Sequence, residues 1–272
     1  MGVRSKKRVR PRTIKIATFN INNINSRLAN LLEWLVESKP DIVCLQELKT
    51  AQGNFPADAL LNVGYQAVWR GQKTWNGVAI LSRVGEPIVT RYILPGDPKD
   101  TQSRYIEAAV AGLIIGCIYL PNGNPQPGPK FVYKLAWFNR LARHARKLWD
   151  SGHPVILVGD YNVVPTDLDI YPTKSWTNDA LLQPESRAAY RKLLSQGWTD
   201  AIRALFPNER IYTFWDYKRK RWERNAGLRL DHFLLSENLA DKLLTGGVDK
   251  EVRGLPRASD HAPVWIKIKV TS

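Results

Sequence analysis

Polar side chains recur along this sequence at the points where short apolar runs end. They are Asn20, Asn22, Gln46, Glu47, Asp160, Asn162, Asp231, Asp260 and His261. A carboxylate at the end of a buried strand loses its hydration, so a metal ion or several hydrogen-bond donors must compensate for the loss. Taken alone, Glu47 or Asp160 is explained more simply as a turn or capping residue. Five such strand ends in one chain indicate a catalytic site assembled from separated segments.

This set of side chains suits the hydrolysis of a phosphodiester bond. The reaction needs a neutralised phosphate, an activated water molecule and a stabilised leaving oxyanion. Hard oxygen ligands such as Glu47 suit Mg²⁺, which keeps several waters and binds a substrate phosphate. An Asp beside the attacking water can accept its proton or orient it, with Asn162 fixing the geometry. A His has its pKa raised by a neighbouring Asp, and when charged it can donate to a phosphate oxygen.

The net charge favours a polyanionic partner. The 272 residues include 40 Lys and Arg against 25 Asp and Glu, which gives a formal net charge of +15. Such a charge draws nucleic acid through long-range attraction, although solubility alone explains it about equally well. A nucleic acid is therefore the first partner to test.

The cysteine content and hydropathy predict a reducing, aqueous compartment. The only cysteines, Cys44 and Cys117, lie in apolar runs and are expected to be buried thiols. No apolar stretch approaches the roughly twenty residues needed to cross a bilayer, and none follows the N-terminal charges as in a signal peptide. We expect a cytoplasmic monomer without membrane contact.

The first residues of the chain differ in character from the rest. Residues 1–12 are basic and lack hydrophobic periodicity, which is typical of a disordered tail that adds non-specific attraction to DNA. Residues 13–272 are expected to form a single catalytic domain, because a chain of this length can bury one substantial core.

Hydrophobic periodicity and turn residues predict an α/β fold. The predicted strands cover residues 13–21, 42–45, 65–70, 77–82, 88–94, 105–111, 113–120, 155–158, 211–214, 228–235 and 263–270. The predicted helices cover 28–36 after a cap at Ser26, 132–149 before Gly152, 185–194 and 239–244. The close succession of strands favours antiparallel hairpins over a parallel wheel. We expect two mostly antiparallel sheets packed face to face and flanked by helices.

Aromatic and basic residues alternate just before Asp231. Trp215 lies in a segment, 213–222, where aromatic side chains interleave with cations, as in proteins that hold an unstacked nucleotide. Phe214, Trp215 and Leu228 are predicted to wall a pocket that accepts a base-free sugar, although simple loop packing explains them about equally well. Weaker candidates for contact with a nucleic-acid backbone are Lys49, Trp75, Asn76, Arg104, Lys174 and Trp176.

Eight segments of the sequence resemble the exonuclease III family of abasic-site endonucleases and 3′-exonucleases. They are 17–22 (ATFNIN), 45–49 (LQELK), 76–81 (NGVAIL), 119–122 (YLPN), 159–162 (GDYN), 165–170 (PTDLDI), 227–231 (GLRLD) and 259–264 (SDHAPV). The resemblance runs in order from about Lys15 to Lys269. The SDH triplet is shared by the wider endonuclease/exonuclease/phosphatase superfamily, whereas PTDLDI together with LRLD is more particular to the exonuclease III branch.

The resemblance implies a four-layered α/β sandwich and a nuclease that uses one or two Mg²⁺ ions, with Mn²⁺ as a substitute. It implies incision of duplex DNA 5′ to abasic sites and removal of nucleotides or blocking groups from 3′ ends. In this similarity Glu47 is the main metal ligand, Asn20 lies next to it, and Asp260 lies at a second metal position. Asp160 orients or deprotonates the water with the help of Asn162.

The same resemblance implies how the phosphate is held. His261 binds the scissile phosphate and is held by Asp231, while Tyr119 contacts the phosphate or assists the leaving group. Asn122 matches a phosphate-contacting position. Two positions depart from some relatives: Asn22 stands where they have an acidic residue, which implies weaker metal affinity, and Leu228 stands where they have Trp, which leaves open the balance of incision and exonuclease activity.

Two other interpretations of the sequence are kept open. One is a phosphodiesterase or phosphatase of the same superfamily that acts on inositol phosphates or lipid, against which the basic charge and the PTDLDI motif argue. The other is a catalytically silent DNA-binding module. The full set of candidate catalytic side chains argues against it, because a scaffold does not need them.

Overall fold

The computed structural model describes residues 12–270, so the predicted basic tail lies outside the described residues except for Arg12, which opens the first strand. The strands are β1 Arg12–Asn20, β2 Ile42–Gln46, β3 Gln66–Arg70, β4 Val78–Ser82, β5 Ile88–Arg91, β6 Tyr105–Val110, β7 Leu113–Tyr119, β8 Val155–Asp160, β9 Thr199–Asp200, β10 Asp231–Leu235, β11 Leu243–Val248 and β12 Val264–Val270. The helices are α1 Leu28–Ser38, α2 Ala57–Asn62, α3 Pro129–Asp150, α4 Pro184–Leu194, α5 Ala201–Leu205 and α6 Glu237–Ala240.

The strands form two six-stranded sheets, and each sheet contains one parallel pair. The order of the first sheet is β11-β12-β1-β2-β4-β3, and that of the second is β5-β6-β7-β8-β10-β9. In the first sheet β1 runs parallel to β2, and in the second β7 runs parallel to β8. The other neighbouring strands of these two sheets are antiparallel. The prediction of two mostly antiparallel sheets is confirmed.

The two sheets and their helices make four layers. Ile16 of the first sheet and Ile115 of the second belong to one buried cluster, so these faces pack against each other. Alternate residues of each strand point to the opposite face. There the first sheet packs on Leu35 of α1, and the second packs on Leu141 of α3 and Leu193 of α4. This arrangement confirms the expected α/β sandwich.

Two predicted elements are wrong. The predicted strand at 211–214 does not form, because the backbone N–H groups of Thr213 and Phe214 both donate to the carbonyl of Leu228 and make no ladder. The predicted helix at 239–244 ends with α6 at Ala240, and the chain continues as β11. Pairing with the edge of β12 outweighs local helix preference there, and two glycines at 246–247 disfavour continuation of the helix.

The ends of the helices agree with the sequence only in part. A 3₁₀ turn precedes α1, Ser26 lies inside it, and its backbone N–H donates to Asn23 Oδ1, so the predicted cap at Ser26 is wrong. The long helix α3 is followed by Gly152 with a φ of 69°, the left-handed conformation expected there.

None of the helices within residues 12–270 is both long and apolar enough to span a membrane.

Glu107 of β6 ties the second sheet to α3 through a buried set of hydrogen bonds. Its carboxylate accepts hydrogen bonds from Thr90 Oγ1, Tyr105 OH and His144 Nε2, each at 2.7 Å. Burial by itself raises the pKa of Glu107, but His144 and the two hydroxyls outweigh it and lower that pKa to about 2. Since this lies below the unfolded value of 4.5, the stabilisation is present above pH 4.5 and is lost as the pH falls towards 2.

We expect Glu107→Gln to lower the free energy of unfolding at neutral pH by about 3 kcal/mol. The variant should also flatten the dependence of stability on pH between 4.5 and 2. Urea unfolding at a series of pH values measures both effects. Exposed Glu37→Gln on α1 is the matched control and should change stability by less than about 0.5 kcal/mol. A variant that keeps the wild-type slope would contradict the assignment to Glu107.

Candidate active site

The ends of the two parallel strand pairs meet at one rim of the sandwich. Asn20 lies opposite Gln46 at the ends of β1 and β2, and Tyr119 lies opposite Asp160 at the ends of β7 and β8. Because parallel strands end at the same edge of a sheet, each pair delivers its polar side chains together. A cleft opens at this rim, lined by Glu47, Tyr119, Asn122, Asp160, Asn162, Trp176, Asp179, Leu181, Phe214, Leu230, Asp260 and His261.

Asn20 joins the two sheets at the base of the cleft. Its Nδ2 donates to Glu47 Oε1 and to Asp160 Oδ2, each at 2.9 Å. Asn20 is fully buried, and its backbone carbonyl accepts a hydrogen bond of 2.6 Å from Ser259 Oγ. One amide thus fixes the separation of two carboxylates that are remote along the chain.

Glu47 occupies a strained turn immediately after β2. Its φ is 52°, in the left-handed region where a non-glycine residue costs on the order of 1 kcal/mol and where functional sites concentrate strain. Glu47 Oε1 accepts from Tyr119 OH at 2.8 Å, and Oε2 lies 2.8 Å from Lys49 Nζ. Lys49 Nζ also donates to Asn22 Oδ1 at 2.7 Å. Burial by itself raises the pKa of Glu47, but the Lys49 ammonium outweighs it, so this pKa is below its usual value.

Asp160 is held by the residue two positions later. Asn162 donates its backbone N–H to Asp160 Oδ1 at 2.8 Å and its Nδ2 to Oδ2 at 3.2 Å. Asn122 in turn donates to Asn162 Oδ1 at 3.2 Å. Burial raises the pKa of Asp160 to about 7, although the nearby His261 acts in the opposite direction. A pKa near neutrality suits a group that accepts a proton during a reaction.

His261 faces Asp160 and is backed by Asp231. Its Nδ1 donates to Asp231 Oδ2 at 2.8 Å, and its Nε2 lies 3.8 Å from Asp160 Oδ2. Burial by itself lowers the pKa of His261, but the Asp231 carboxylate outweighs it and raises that pKa to about 10. The imidazole is therefore charged at neutral pH and can donate to an anion in the cleft.

Thr213 is a functional neighbour that sequence reasoning missed. Its hydroxyl donates to Asp231 Oδ2 at 2.6 Å and accepts the backbone N–H groups of Leu230 and Asp231. These bonds fix the carboxylate that orients His261. A lone Thr in an apolar run gives no sequence signal of such a contact. Asp179, Leu181 and Leu230, which also line the cleft, were not predicted either.

The apolar wall of the cleft differs from the prediction. Of the three residues predicted to form it, only Phe214 lines the cleft. Trp215 is fully buried, with its indole N–H on Asn225 Oδ1, and Leu228 is buried beside Ile170. Trp215 turns inward because consecutive side chains of this extended segment point to opposite sides. Trp176, one of the weaker candidates, takes part in the wall instead.

Exposed cations lie next to this wall. Lys218, Arg219 and Lys220 form an exposed turn that follows the Phe214 segment. The guanidinium of Arg221 lies 4.3 Å from the ring centre of Trp176, a distance at which cation and ring attract each other. The basic turn is therefore attached to the aromatic side of the cleft.

The oxygen atoms that face the cleft fit a hard divalent cation. Glu47, Asp160 and Asp260 contribute carboxylates to the lining. No group of three or more His, Cys, Asp or Glu side chains within residues 12–270 is arranged to hold a metal ion. Mg²⁺ needs only one or two carboxylates because it keeps several waters, whereas a structural zinc site needs about four N or S ligands. The donor set therefore fits a hydrated cation of the Mg²⁺ type.

Comparison with known proteins identifies the family. The model of the Endonuclease/Exonuclease/phosphatase family matches residues 17–261. Exodeoxyribonuclease III of Haemophilus influenzae is 35% identical over 94% of this chain and 100% of its own length. An AP endonuclease from Archaeoglobus fulgidus has a TM-score of 0.89 and 38% identity, covering 95% of this chain and 99% of that chain. A 3′ phosphatase from Neisseria, solved bound to a product DNA hairpin, has a TM-score of 0.89 and 40% identity. The match covers 94% of this chain and 99% of that chain.

The chain belongs to the Endonuclease/Exonuclease/phosphatase family. Within that family it is of the exodeoxyribonuclease III type, as the resemblance of its motifs predicted. It is an enzyme that hydrolyses phosphodiester bonds, and the family to which it belongs is metal-dependent.

Proposed function

We propose that the chain is a Mg²⁺-dependent repair nuclease of double-stranded DNA. It incises 5′ to abasic sites and removes nucleotides or blocking groups from 3′ ends. The observation that carries this proposal is the opposition of Asp160, with a pKa of about 7, and a charged His261 in one cleft with Glu47. The named activities of the relatives, an exodeoxyribonuclease, an AP endonuclease and a 3′ phosphatase bound to DNA, support the substrate.

Asp160 is the proposed acceptor of the water proton. Its carboxylate is fixed at both oxygens by Asn162 and at one by Asn20, so it cannot rotate away from the cleft. With a pKa of about 7, about half of it is ionised at neutral pH, and the ionised form is basic enough to take a proton. Asn162 thus orients the base and does not itself exchange protons.

His261 is the proposed donor to the scissile phosphate. Asp231 keeps it charged and Thr213 keeps Asp231 in place. A charged donor in a buried cleft is most effective where negative charge develops in the transition state. Tyr119, whose hydroxyl contacts Glu47, and Asn122, in the loop that follows β7, are the proposed further contacts to the phosphate and the leaving group.

Glu47 would hold the metal ion, with Asp260 and Asn20 next to it. When bound, Mg²⁺ supplies charge neutralisation to the phosphate and to the departing oxygen. Lys49 Nζ lies 2.8 Å from Glu47 Oε2 and donates to Asn22 Oδ1 at 2.7 Å. Some relatives carry an acidic residue at the position of Asn22. We propose that one ion with modest affinity is held here, because Asn22 contributes no charge. Mn²⁺ should substitute, since it prefers similar oxygen ligands.

The surface beside the cleft suits the DNA backbone. The net charge of +15 and the exposed turn at residues 218–220 supply attraction for phosphates. Phe214 and Trp176 supply an apolar wall for a sugar without its base. Relatives of similar identity are named for different activities, so identity alone does not set the balance of incision and 3′ trimming.

Purified protein is expected to cut an abasic duplex in Mg²⁺ and to trim nicked and blunt 3′ ends in the same gel assay. Chelation of the metal should slow cleavage by at least about 10³-fold, because several kcal/mol of charge stabilisation are lost, and Mn²⁺ should restore it. The matched comparison is turnover of a phosphoinositide and of inositol phosphates by the same preparation. Faster turnover of those compounds than of DNA would overturn the proposed substrate, and binding of DNA without cleavage would overturn the proposed activity.

A further inference from the structure

Lys134 of α3 is a fully buried lysine next to the active site. Its side chain is 0% exposed. Its Nζ donates to the backbone carbonyl of Asn122 at 2.9 Å and to that of Asn162. Removal of an ammonium group from water costs several kcal/mol even when it is well hydrogen-bonded. A cation placed in this way beside a reactive cleft is a candidate for a functional role.

Both carbonyl partners of Lys134 belong to residues of the site. Asn162 holds Asp160 through two hydrogen bonds, and Asn122 donates to the side chain of Asn162. Asn162 has a φ of 46°, a left-handed conformation that persists only where its surroundings hold it. Lys134 donates to the carbonyl of this strained residue. The Nζ of Lys134 therefore connects the two segments that carry the proposed base and a proposed phosphate contact.

The path of the Lys134 side chain is fixed by close packing. A Cβ added to Gly123, which has a φ of 92°, would lie 2.6 Å from Lys134 Cδ and 3.2 Å from Ala180 Cβ. Burial lowers the pKa of Lys134 to about 7, against the opposing effects of the Asp179 and Asp160 carboxylates. Close packing thus fixes the conformation of the Lys134 side chain, and its Nζ has two backbone carbonyls as acceptors.

We propose that Lys134 is a positioning residue for hydrolysis, which fixes the backbones of Asn122 and Asn162 and, through Asn162, the orientation of Asp160. It acts through these residues and touches no reacting atom. The inference rests on the proposed function and names a further component of the same site.

The test compares Lys134→Met, which removes all donors, with Lys134→Gln, which retains an N–H donor without charge. Arg140→Met is the matched control, because Arg140 is a buried cation on the same helix that pairs with Asp100. Single-turnover cleavage of an abasic duplex, KM and thermal unfolding are measured for each protein. We expect Lys134→Met to slow cleavage by about 10- to 100-fold, as loss of a supporting contact commonly does, with KM within about threefold of wild type.

Lys134→Gln should cleave faster than Lys134→Met, because its NH₂ group restores a donor near the two carbonyls, one bond short of the position of Nζ. Arg140→Met should cleave within about twofold of the wild-type rate even where it lowers the unfolding temperature equally. If Lys134→Met does not fold, Lys134→Gln is compared with wild type in its place and should also cleave more slowly; cleavage at the wild-type rate would overturn the inference.

Wild-type protein that fails to cleave would count against the proposed function itself. With an active wild type, the inference on Lys134 is overturned if Lys134→Met cleaves at more than half the wild-type rate. It is overturned equally if Arg140→Met is slowed as much, or if Lys134→Gln is no faster than Lys134→Met.

Discussion

Asp160→Asn is expected to slow cleavage of an abasic duplex by about 10³-fold, within the range that loss of a general base produces. An amide cannot accept the proton of the attacking water. In addition, Oδ1 must go on accepting the backbone N–H of Asn162, so the new NH₂ group would meet Nδ2 of Asn20 and of Asn162. Donor would then face donor at two contacts, and the carboxylate geometry of the cleft would be lost along with its basicity.

The affinity of this variant for DNA should stay within about threefold of wild type, because phosphate contacts on the basic surface dominate binding. Single-turnover gel cleavage gives the rate, and fluorescence anisotropy in chelator gives the affinity. Asp167→Asn is the matched control, since this carboxylate is 90% exposed and pairs only with Arg187 among the described residues. Turnover by Asp160→Asn close to that of wild type would refute the role of Asp160 as proton acceptor.

His261→Ala is expected to slow cleavage by about 10²- to 10³-fold, as removal of one donor to a developing oxyanion does. Its loss also leaves Asp231 buried with only Thr213 as a side-chain donor to Oδ2, while Oδ1 has no partner within the described residues. An unpaired buried charge costs about 3–5 kcal/mol, so the unfolding temperature should fall as well. The exposed His153→Ala, which changes the same residue type away from the cleft, is the control.

A double-mutant cycle separates catalysis from stability in this pair. If Asp231 acts on the phosphate only through His261, as we propose, Asp231→Asn should slow cleavage strongly in the wild-type background. The same change should slow the His261→Ala variant by less than about threefold. The measurement is single-turnover cleavage at a temperature where every variant is folded by circular dichroism. Rate losses that multiply in the double variant would show that Asp231 and His261 act independently.

The sequence by itself predicted which polar residues lie at the rim of the sandwich. Period-two alternation and apolar runs define strands, and a polar residue immediately after such a run must lie at the rim of a sheet. Glu47 and Asp160 could be placed for this reason, and His261 because it precedes the apolar run of β12. The two-sheet architecture followed from the number of strands and helices in the same way.

Pairing and packing between distant segments decided which of these polar side chains contact one another. Asn20 bridges Glu47 and Asp160 only because two parallel strand pairs, one in each sheet, end at the same rim. Local sequence does not specify which strands become neighbours, since that choice minimises exposure of the whole core. The contacts of Asn20 with Glu47 and Asp160 therefore depend on how the two sheets pack together.

Side-chain direction in loops and on buried helix faces was also decided by tertiary structure. Trp215 points into the core and Trp176 into the cleft wall, although the basic neighbours of Trp215 favoured the opposite assignment. Lys134 gives no signal of burial, because a lysine on a helix is nearly always exposed. Its place under Asn122 and Asn162 arises from close packing at Gly123, where several segments of the chain meet.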